Sequence, residues 1–384
     1  MDTCEPFYHG GYERRTLEVA RVLALDHNVS IFTSCDSDCE IDGVQFVAVR
    51  PKRRTFSTNG FRNPLSTLRF IGGLLLLFFD KREFDIVDCN ATPFLHVPIA
   101  ARLARHWGAS MVLTAHEGLS SALNNYAHER VTHPILQGLA HRVLKIVYHN
   151  GMKNNEMIVT PSSIAAQAIR AEGYRNVAVN LGGVSSIAPP KERFLRRATF
   201  VGRLVVTKRV DVLIRAALNA AEKGWIESLT IVGTGPQRDE LLKLTGVHDL
   251  GSIVKFAGDV SEDEKFEILR DQTDVFVSAS MREGISLATL EAMSMANPVI
   301  IATSGNSTAN GAVEYVRNGV SGFVTNGREE ELTNAIYQFV KMNETDYRIM
   351  SAASREVAQN YLWKPGVDHL LNLYRTLLIY DELT

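Results

Sequence analysis

The chain has 384 residues, of which 45% are hydrophobic, and a formal net charge of −2. This length predicts two domains with separate packed cores, and the near-neutral charge gives no reason to expect nucleic acid as a main partner. The longest apolar run, Phe70 to Phe79, is too short to cross a bilayer, and no signal peptide is visible. The four cysteines favour a reducing cytoplasm, and Cys35-x3-Cys39 is read as two thiols because no second Cys/His pair completes a metal site.

Strand-like apolar segments alternate with helical patterns through the first half of the chain. The predicted strands span residues 28–34, 44–49, 84–88, 111–115, 157–160 and 177–180. The predicted helices span residues 12–25, 64–79, 94–107, 134–149 and 164–172. This alternation predicts a parallel sheet with helices on both faces.

The alternation restarts after a polar stretch that contains Pro189 and Pro190. Strands are predicted at 198–201, 228–232, 253–256, 275–277 and 299–302. Helices are predicted at 209–222, 237–244, 262–269, 287–295 and 366–380. The fold class is therefore predicted to be α/β, with two doubly wound, Rossmann-like domains. Ligands bind such sheets at the carboxyl ends of the strands, so the cleft between the domains is the expected active site.

Two glutamates, Glu283 and Glu291, flank the start of a predicted helix. Eight residues along a helical path span about 12 Å, which is of the order of the distance from a sugar to a ribose across a diphosphate. The helix start between them is rich in small residues, and its free N–H groups and dipole favour phosphate. A glutamate in a loop or on a helix is usually just solvated, so further motifs have to support this interpretation.

Further polar and glycine motifs follow the other strands of the second half. Arg203 and Lys208 come after the strand that ends at Gly202, where an arginine fork and a lysine point charge suit a diphosphate. The turn Gly233-Thr234-Gly235-Pro236 allows close backbone approach. Phe256 and Gly258 form another turn at a strand end, which could lie beside the edge of a nucleotide base.

Together these motifs resemble, in order and spacing, those of the family 4 retaining glycosyltransferases, also called group 1, which have the GT-B fold. The resemblance is carried by Gly202-Arg203-Leu204 with Lys208, Gly233-x-Gly235-Pro236, Phe256-x-Gly258, Glu283-Gly284 through Glu291-Ala292-Met293, Glu314-Tyr315-Val316 and Gly319-Val320-Ser321-Gly322-Phe323. It implies two Rossmann-like domains facing across a cleft. The acceptor-side domain would span 1–186, with 364–384 packing back on it, and the nucleotide-sugar donor domain would span 187–363.

The resemblance also implies roles for individual residues. The expected ligands of the donor diphosphate are Arg203, Lys208, Gly11, Gly284, Ile285 and Ser286. Glu283 is expected to contact hydroxyls of the donor sugar, and Glu291 those of the ribose. Gly233, Phe256 and Gly258 are expected at the edge of the base. Neither a metal nor a cofactor is implied, and the donor is a nucleotide diphosphate sugar, with UDP or GDP the expected nucleotide.

The first half fits the family pattern more loosely. Gly10-Gly11-Tyr12-Glu13 resembles the Gly-Gly-x-Glu loop that opens the first helix beside the phosphates, and His116 stands where the family often has a histidine near the reaction centre. We therefore predict His116 and Glu283 as the catalytic residues; the alternative for His116 is a structural role at a strand end. In the family a full strand precedes the glycine loop, but here only Met1 to Phe7 do, so we expect the first strand to be missing through a truncated or misassigned start.

Residues 43–79 contain no Asp or Glu. Basic residues, among them Arg50, Lys52, Arg53, Arg54, Arg62 and Arg69, lead into the Leu-rich segment. Such a pattern suits peripheral contact of residues 50–79 with an anionic membrane surface. The alternative is a buried helix beside a solvated basic loop, and a four-leucine run that wraps all helix faces favours that alternative.

The sequence therefore predicts a cytoplasmic glycosyltransferase, peripheral on the membrane if residues 50–79 make that contact. It would transfer a sugar from a nucleotide diphosphate sugar to a hydroxyl of a glycan, glycolipid or lipid-linked sugar, with retention of configuration and without a metal. One alternative is a GT-B sugar-nucleotide epimerase, for which no opposing acid/base set is evident. A second is a non-catalytic nucleotide-sugar-binding protein, which the missing strand would favour.

Overall fold

The computed structural model describes residues 3–6, 10–50, 64–92, 95–116, 142, 146, 157–246, 253–280, 283–303 and 310–383. The chain divides into two compact units, one formed by residues 1–182 with 363–384 and the other by residues 183–362. Among the described residues, no helix combines the length and apolarity needed to span a membrane.

The first unit alternates strands and helices. Its strands are β1 (Val29–Ser34), β2 (Cys39–Ile41), β3 (Val44–Arg50), β4 (Ile86–Asn90), β5 (Ser110–Thr114), β6 (Met157–Thr160) and β7 (Val177–Val179). Its helices are α1 (Gly11–Leu23), α2 (Pro64–Leu76, continued by a 3₁₀ turn at Leu77–Phe79), α3 (Val97–His106), α4 (Ser163–Ala171) and α11 (Trp363–Leu383).

The strands of the first unit form two separate sheets. One has the order β1-β3-β2, in which β2 is antiparallel to β3, and the other is fully parallel with the order β4-β5-β6-β7. Apolar residues of α3 and α4 cover one face of the second sheet, and Leu370, Tyr374 and Leu377 of α11 cover the other. Burial on both faces explains why β5 and β6 are nearly continuous apolar runs.

The second unit is one six-stranded parallel sheet with the order β10-β9-β8-β11-β12-β13. Its strands are β8 (Arg197–Val201), β9 (Ser228–Val232), β10 (Val254–Gly258), β11 (Val275–Ser278), β12 (Val299–Ala302) and β13 (Gly322–Thr325). Its helices are α5 (Val210–Glu222), α6 (Arg238–Gly246), α7 (Glu262–Asp271), α8 (Leu287–Ser294), α9 (Glu329–Lys341) and α10 (Glu344–Gln359). The central strands β11 and β12 are buried along their whole length. Their carboxyl ends therefore stand on a rigid core.

The predicted fold class is confirmed: each half is a Rossmann-like α/β unit built on parallel strands. Every strand predicted from the apolar runs is present, with ends shifted by two residues at most. The short strand β2, the strand β13 and the helices α9 and α10 were not predicted. The predicted helix at 134–149 lies outside the described residues, apart from two isolated positions.

The four-leucine run favoured a buried helix, but the structure buries only one face of α2. Phe70 and Leu74 are buried against Val49, Leu103 and Trp107. The opposite face is exposed, with exposed fractions of 61% for Leu65, 56% for Leu68, 48% for Leu75, 67% for Leu76 and 89% for Phe79 in the following turn. The Leu-rich segment therefore has an apolar stripe on its outer face as well, which we call the α2 stripe.

Arg50, predicted as part of the basic surface, is a buried structural residue. It is 8% exposed, and its guanidinium donates hydrogen bonds to Ser34 Oγ at 2.8 Å and Ser66 Oγ at 2.5 Å. The end of β3 is thereby joined to α2. Arg69 is exposed, whereas Lys52, Arg53, Arg54 and Arg62 lie outside the described residues.

Candidate functional site: glycine-lined strand ends and a paired lysine

Three glycines bring the carboxyl ends of neighbouring strands into backbone contact. The N–H of Gly202, after β8, donates to Val232 O at 3.0 Å, and the N–H of Gly233, after β9, donates to Gly258 O at 2.7 Å. Gly233 has a φ of +125°, and a Cβ there would overlap the carbonyl oxygen of Gly202. Glycine is therefore required at Gly233 both by its backbone conformation and by close approach. The result is a strand-end surface free of side chains at these points.

The two predicted cations stand at the edge of this surface. Arg203 is exposed directly after Gly202. Lys208 ends a short 3₁₀ turn, Val206–Lys208, before α5. Its ammonium forms an ion pair with Glu283 Oε1, and both side chains are largely buried, with exposed fractions of 22% and 15%. The structure therefore pairs the lysine that is predicted to bind the diphosphate with the glutamate that is predicted to bind the sugar.

Glu283 belongs to the loop between β11 and α8. Asn310 and Gly311, which come after β12, hold this loop in place. The Gly311 N–H donates to Glu283 O at 2.9 Å, and a Cβ on Gly311 would overlap the carbonyl oxygen of Gly284. Asn310 donates through Nδ2 to Ser280 O at 3.1 Å and Ala302 O at 2.7 Å. The loop is therefore anchored on both sides of Glu283.

Tyr315 fixes the other end of the same loop. Its hydroxyl donates to Ile285 O at 2.7 Å and lies 3.1 Å from Ser286 O. Burial raises the pKa of Tyr315 well above its ordinary value, so the hydroxyl remains a donor. Ser286 has a left-handed conformation, with φ of +53°, immediately before α8. Because the first N–H groups of a helix lack intrahelical partners, this turn offers backbone donors to an anion.

Glu291 lies inside α8, is 3% exposed, and is paired with a lysine that the sequence did not indicate. Lys265 Nζ of α7 lies 2.9 Å from Glu291 Oε2 and also contacts the carboxylate of Glu262. Between Glu283 and Glu291, only the part from Leu287 onwards is helical. The distance of about 12 Å, which assumed a helical path over all eight residues, therefore does not apply to these two glutamates. Phe256, the last of the second-unit candidates, packs half-buried against the core.

The remaining candidates, Gly11 and His116, belong to the first unit. Gly11 is the first residue of α1, and the ring of Tyr12 stacks on His116 with centroids 4.1 Å apart. Asn90 Nδ2, at the end of β4, lies 3.3 Å from His116 Nε2, and Asn90 Oδ1 accepts from the Thr92 N–H at 3.4 Å. This orientation of Asn90 makes Nε2 an acceptor and leaves the proton of neutral His116 on Nδ1.

His116 is neutral at physiological pH. Burial, and secondarily the nearby charge of Arg15, lower the pKa of His116 to about 3. Its Nδ1 is buried and has no hydrogen-bond partner among the residues that the structure describes. A buried N–H of this kind costs free energy unless a ligand or water accepts it. Neutral His116 can therefore contribute a hydrogen bond, but neither a positive charge nor an effective base.

Arg15, which lies in α1 together with Tyr12, is a structural residue. It is 4% exposed and donates to Asn180 O and Gly182 O, each at 3.1 Å. Its guanidinium lies 5.7 Å from the centre of the Trp363 ring. Burial lowers the pKa of Arg15 to about 10, which leaves it charged. Within the described part of the chain, no three His, Cys, Asp or Glu side chains are grouped to hold a metal ion.

Asn310, Gly311, Tyr315 and Lys265 are the site residues that sequence reasoning missed. Tyr315 stands within the Glu314-Tyr315-Val316 motif, so the motif itself was a signal for its position. Lys265 carried no signal, because its relation to Glu291 depends on the packing of α7 beside α8.

Two family models match this chain. "Glycosyl transferases group 1" matches residues 196–342, and "Glycosyl transferase 4-like domain" matches residues 10–181. Among curated proteins, D-inositol 3-phosphate glycosyltransferase from Rhodococcus opacus is 28% identical over 184 residues, and alpha-D-kanosaminyltransferase from Streptomyces kanamyceticus is 27% identical over 179. Each match covers 46% of this chain, and the chain spans 40% and 45% of the length of those relatives.

Solved structures share the fold at lower sequence identity. Sucrose-phosphate synthase from Thermosynechococcus elongatus superposes with a TM-score of 0.77 at 18% identity, over 97% of this chain and 94% of that one. Anabaena HepE in complex with UDP gives a TM-score of 0.69 at 16% identity, over 98% of both chains.

Proposed function

Because this chain belongs to the group 1 glycosyltransferases, we propose that it moves a sugar from a nucleotide diphosphate sugar to a hydroxyl acceptor with retention of configuration. The observation that carries this proposal is the Lys208–Glu283 ion pair beside the strand-end glycines and the start of α8. A cation, a carboxylate and a helix start at one sheet edge suit a diphosphate joined to a polyhydroxylated sugar.

The donor site is proposed to lie in the domain spanning 187–363. Lys208, Arg203 and the first amides of α8 are proposed to bind the diphosphate, and the assignment of Gly11 to the same ligand stays a prediction. Glu283 accepts hydrogen bonds from the sugar, and Glu291, held by Lys265, accepts them from the ribose. The glycine surface admits the nucleoside. Binding of UDP by Anabaena HepE, which shares the fold, supports a uridine nucleotide as the first donor to test.

The reaction is proposed to occur on one face of the sugar. The bond from the anomeric carbon to the diphosphate oxygen breaks, a bond to the acceptor oxygen forms, and the acceptor proton passes to the leaving phosphate oxygen. Negative charge develops on the diphosphate, so fixed cations and amides lower the barrier without a metal. His116, through its Nδ1–H, donates a hydrogen bond to the sugar.

The acceptor is proposed to be held at a lipid surface. The α2 stripe follows the acid-free basic stretch, and apolar side chains beside cations suit an anionic bilayer. A lipid-linked sugar would then reach the acceptor-side domain from the membrane. A soluble sugar acceptor is the competing hypothesis.

A donor screen tests the proposed function. UDP-, GDP- and ADP-sugars are added to the protein in a thermal-shift assay, and a donor at 100 times its dissociation constant should stabilise by about 2.7 kcal/mol. The stabilising donor is then incubated with and without acceptors, and its products are separated. Transfer or slow hydrolysis supports the proposal; a changed sugar on the nucleotide indicates an epimerase; binding without any turnover indicates a non-catalytic protein.

A further inference from the structure

The loop before α8 turns its carbonyl groups toward residues 310–315 of the same unit, which we call the 310–315 segment. The Glu283 carbonyl accepts a hydrogen bond from the Gly311 N–H at 2.9 Å. A Cβ added to Gly311 would overlap the carbonyl oxygen of Gly284, so that oxygen also lies against the segment. The carbonyls of these two consecutive loop residues therefore face the beginning of the 310–315 segment.

A single side chain, that of Tyr315, contacts the next two carbonyls. Its hydroxyl donates to Ile285 O at 2.7 Å and lies 3.1 Å from Ser286 O. A phenol has one proton, so the two carbonyl oxygens share it. Tyr315 is 5% exposed, and its ring packs edge-on against the ring of Tyr361 with centroids 5.3 Å apart. The hydroxyl is therefore held at a fixed point beside the loop.

These contacts determine where the amides of the loop point. A trans peptide is planar, and its C=O and N–H groups point in opposite directions. Four carbonyls that face the 310–315 segment therefore direct the four amides of residues 284–287 away from it. Among the described residues, none of these four N–H groups donates a hydrogen bond within the protein. Successive N–H groups that point to one side form a concave site for an anion.

We propose that Tyr315 is a positioning residue for the donor diphosphate. By holding the carbonyls of Ile285 and Ser286, its hydroxyl aims the next two N–H groups, those of Ser286 and Leu287, at the phosphate oxygens. Amides that are already aimed need no reorientation when negative charge develops on the leaving diphosphate. This inference rests on the proposed function, because the amides at the start of α8 belong to the proposed donor site.

Tyr315→Phe removes only the hydroxyl, and calorimetric titration with UDP and with uridine, which lacks the phosphates, measures the effect. A second series uses GDP and guanosine, since UDP and GDP are both expected nucleotides. The diphosphate that binds to the wild type should bind about tenfold more weakly to the variant, because two amides lose their fixed direction. Binding of the matching nucleoside should change by less than about twofold.

Tyr347→Phe is the matched control, because the buried Tyr347 hydroxyl also donates to a backbone carbonyl at 2.7 Å, that of Asp274. Asp274 comes directly before β11, whereas the Glu283 loop follows the other end of that strand. Both variants should lower the midpoint of urea unfolding to a similar extent. Only Tyr315→Phe should weaken binding of the nucleoside diphosphate.

Three results would overturn the proposal: Tyr315→Phe binds the diphosphate like the wild type, it weakens binding of the nucleoside to the same extent, or Tyr347→Phe weakens binding of the diphosphate as much. Failure of the proposed function has a different signature, because the wild type itself would then prefer neither nucleoside diphosphate to its nucleoside. In that case the assignment of Tyr315 fails together with the site that it serves.

Discussion

The ammonium group of Lys208 and the carboxylate of Glu283 neutralise each other although 75 positions separate them in the chain. Each was assigned to a different part of the donor, Lys208 to the diphosphate and Glu283 to the sugar. Their pairing means that the site keeps a cation at the strand ends without an uncompensated charge. A bound donor would share these two groups between its phosphate and its hydroxyls.

The first prediction separates the two roles by the choice of ligand. Lys208→Ala should weaken binding of UDP by roughly 10- to 150-fold, because a hydrogen bond to a charged group contributes about 1.5–3 kcal/mol. Glu283→Gln should leave UDP binding no weaker but should weaken binding of the UDP-sugar. Calorimetric titration with both ligands measures this contrast. Lys341→Ala, at the far end of α9, is the control; equal effects of both site variants on UDP would contradict the assignment.

The second prediction concerns the glycine surface. Gly233→Ala should destabilise the second unit and abolish donor binding, because a Cβ there meets the Gly202 carbonyl as well as an unfavourable φ. Gly319→Ala is the matched control: φ is +74° there, but nothing lies within 4 Å of the added Cβ. It should cost only the conformational strain, about 1–2 kcal/mol. Urea unfolding and donor titration of both variants test this; similar losses in both would mean that close approach is unimportant.

The third prediction follows from the low pKa of His116. The unfolded chain protonates this histidine near pH 6.5, whereas the folded chain does so only near pH 3. Its contribution to stability is therefore complete above pH 6.5 and falls on acidification through this range, by ~1.4 kcal/mol per pH unit. Urea unfolding at pH 7.5 and 5.5 should show a larger loss in the wild type than in His116→Gln. His369→Gln, at an exposed position, should behave like the wild type.

The fourth prediction concerns the α2 stripe. Vesicles containing anionic lipid should bind the protein at low salt and release it as salt rises. Replacing Leu68, Leu75 and Leu76 by Ser should abolish binding, while serines at the exposed Leu25, Ile349 and Ile379 should have no effect. Replacing Lys52, Arg53 and Arg54 by Ser should weaken it by about 1 kcal/mol each. Co-sedimentation measures all three sets, and a wild type that ignores anionic vesicles would favour a soluble acceptor.

The fifth prediction concerns metal ions. Sugar transfer should continue in EDTA, because the proposed donor site already offers Arg203, Lys208 and helix amides to the diphosphate. Initial rates before and after chelation measure this. A complete loss that Mn²⁺ or Mg²⁺ restores would contradict metal independence.

The sequence predicted the sheets well because buried parallel strands are apolar throughout, and β11 and β12 follow that rule. It missed β2, whose three residues lie at a sheet edge and carry no apolar run. It missed β13, where Gly322 lies against Val299 of the neighbouring strand and interrupts the pattern.

For the candidate site as well, the sequence could predict some features and not others. The positions of Arg203, Lys208, Glu283 and the glycines at the strand ends could be predicted because local motifs carry them. The ion pair of Glu291 with Lys265 could not, because it joins two helices through packing that no local pattern records. The outward stripe of α2 was also hidden, since a run of leucines does not reveal which helix face meets the core.

Helix α11 gives the first unit a particular order of assembly. The polypeptide leaves that unit at Gly182 and returns at Trp363, and α11 supplies Leu370, Tyr374 and Leu377 to the core over Val112, Met157 and Val159. On a ribosome, this face of the first sheet stays bare until Trp363–Leu383 has emerged. The second unit, although later in sequence, is complete first. A nascent chain halted before Trp363 therefore carries one finished unit and one open apolar face, which is the kind of surface that chaperones bind.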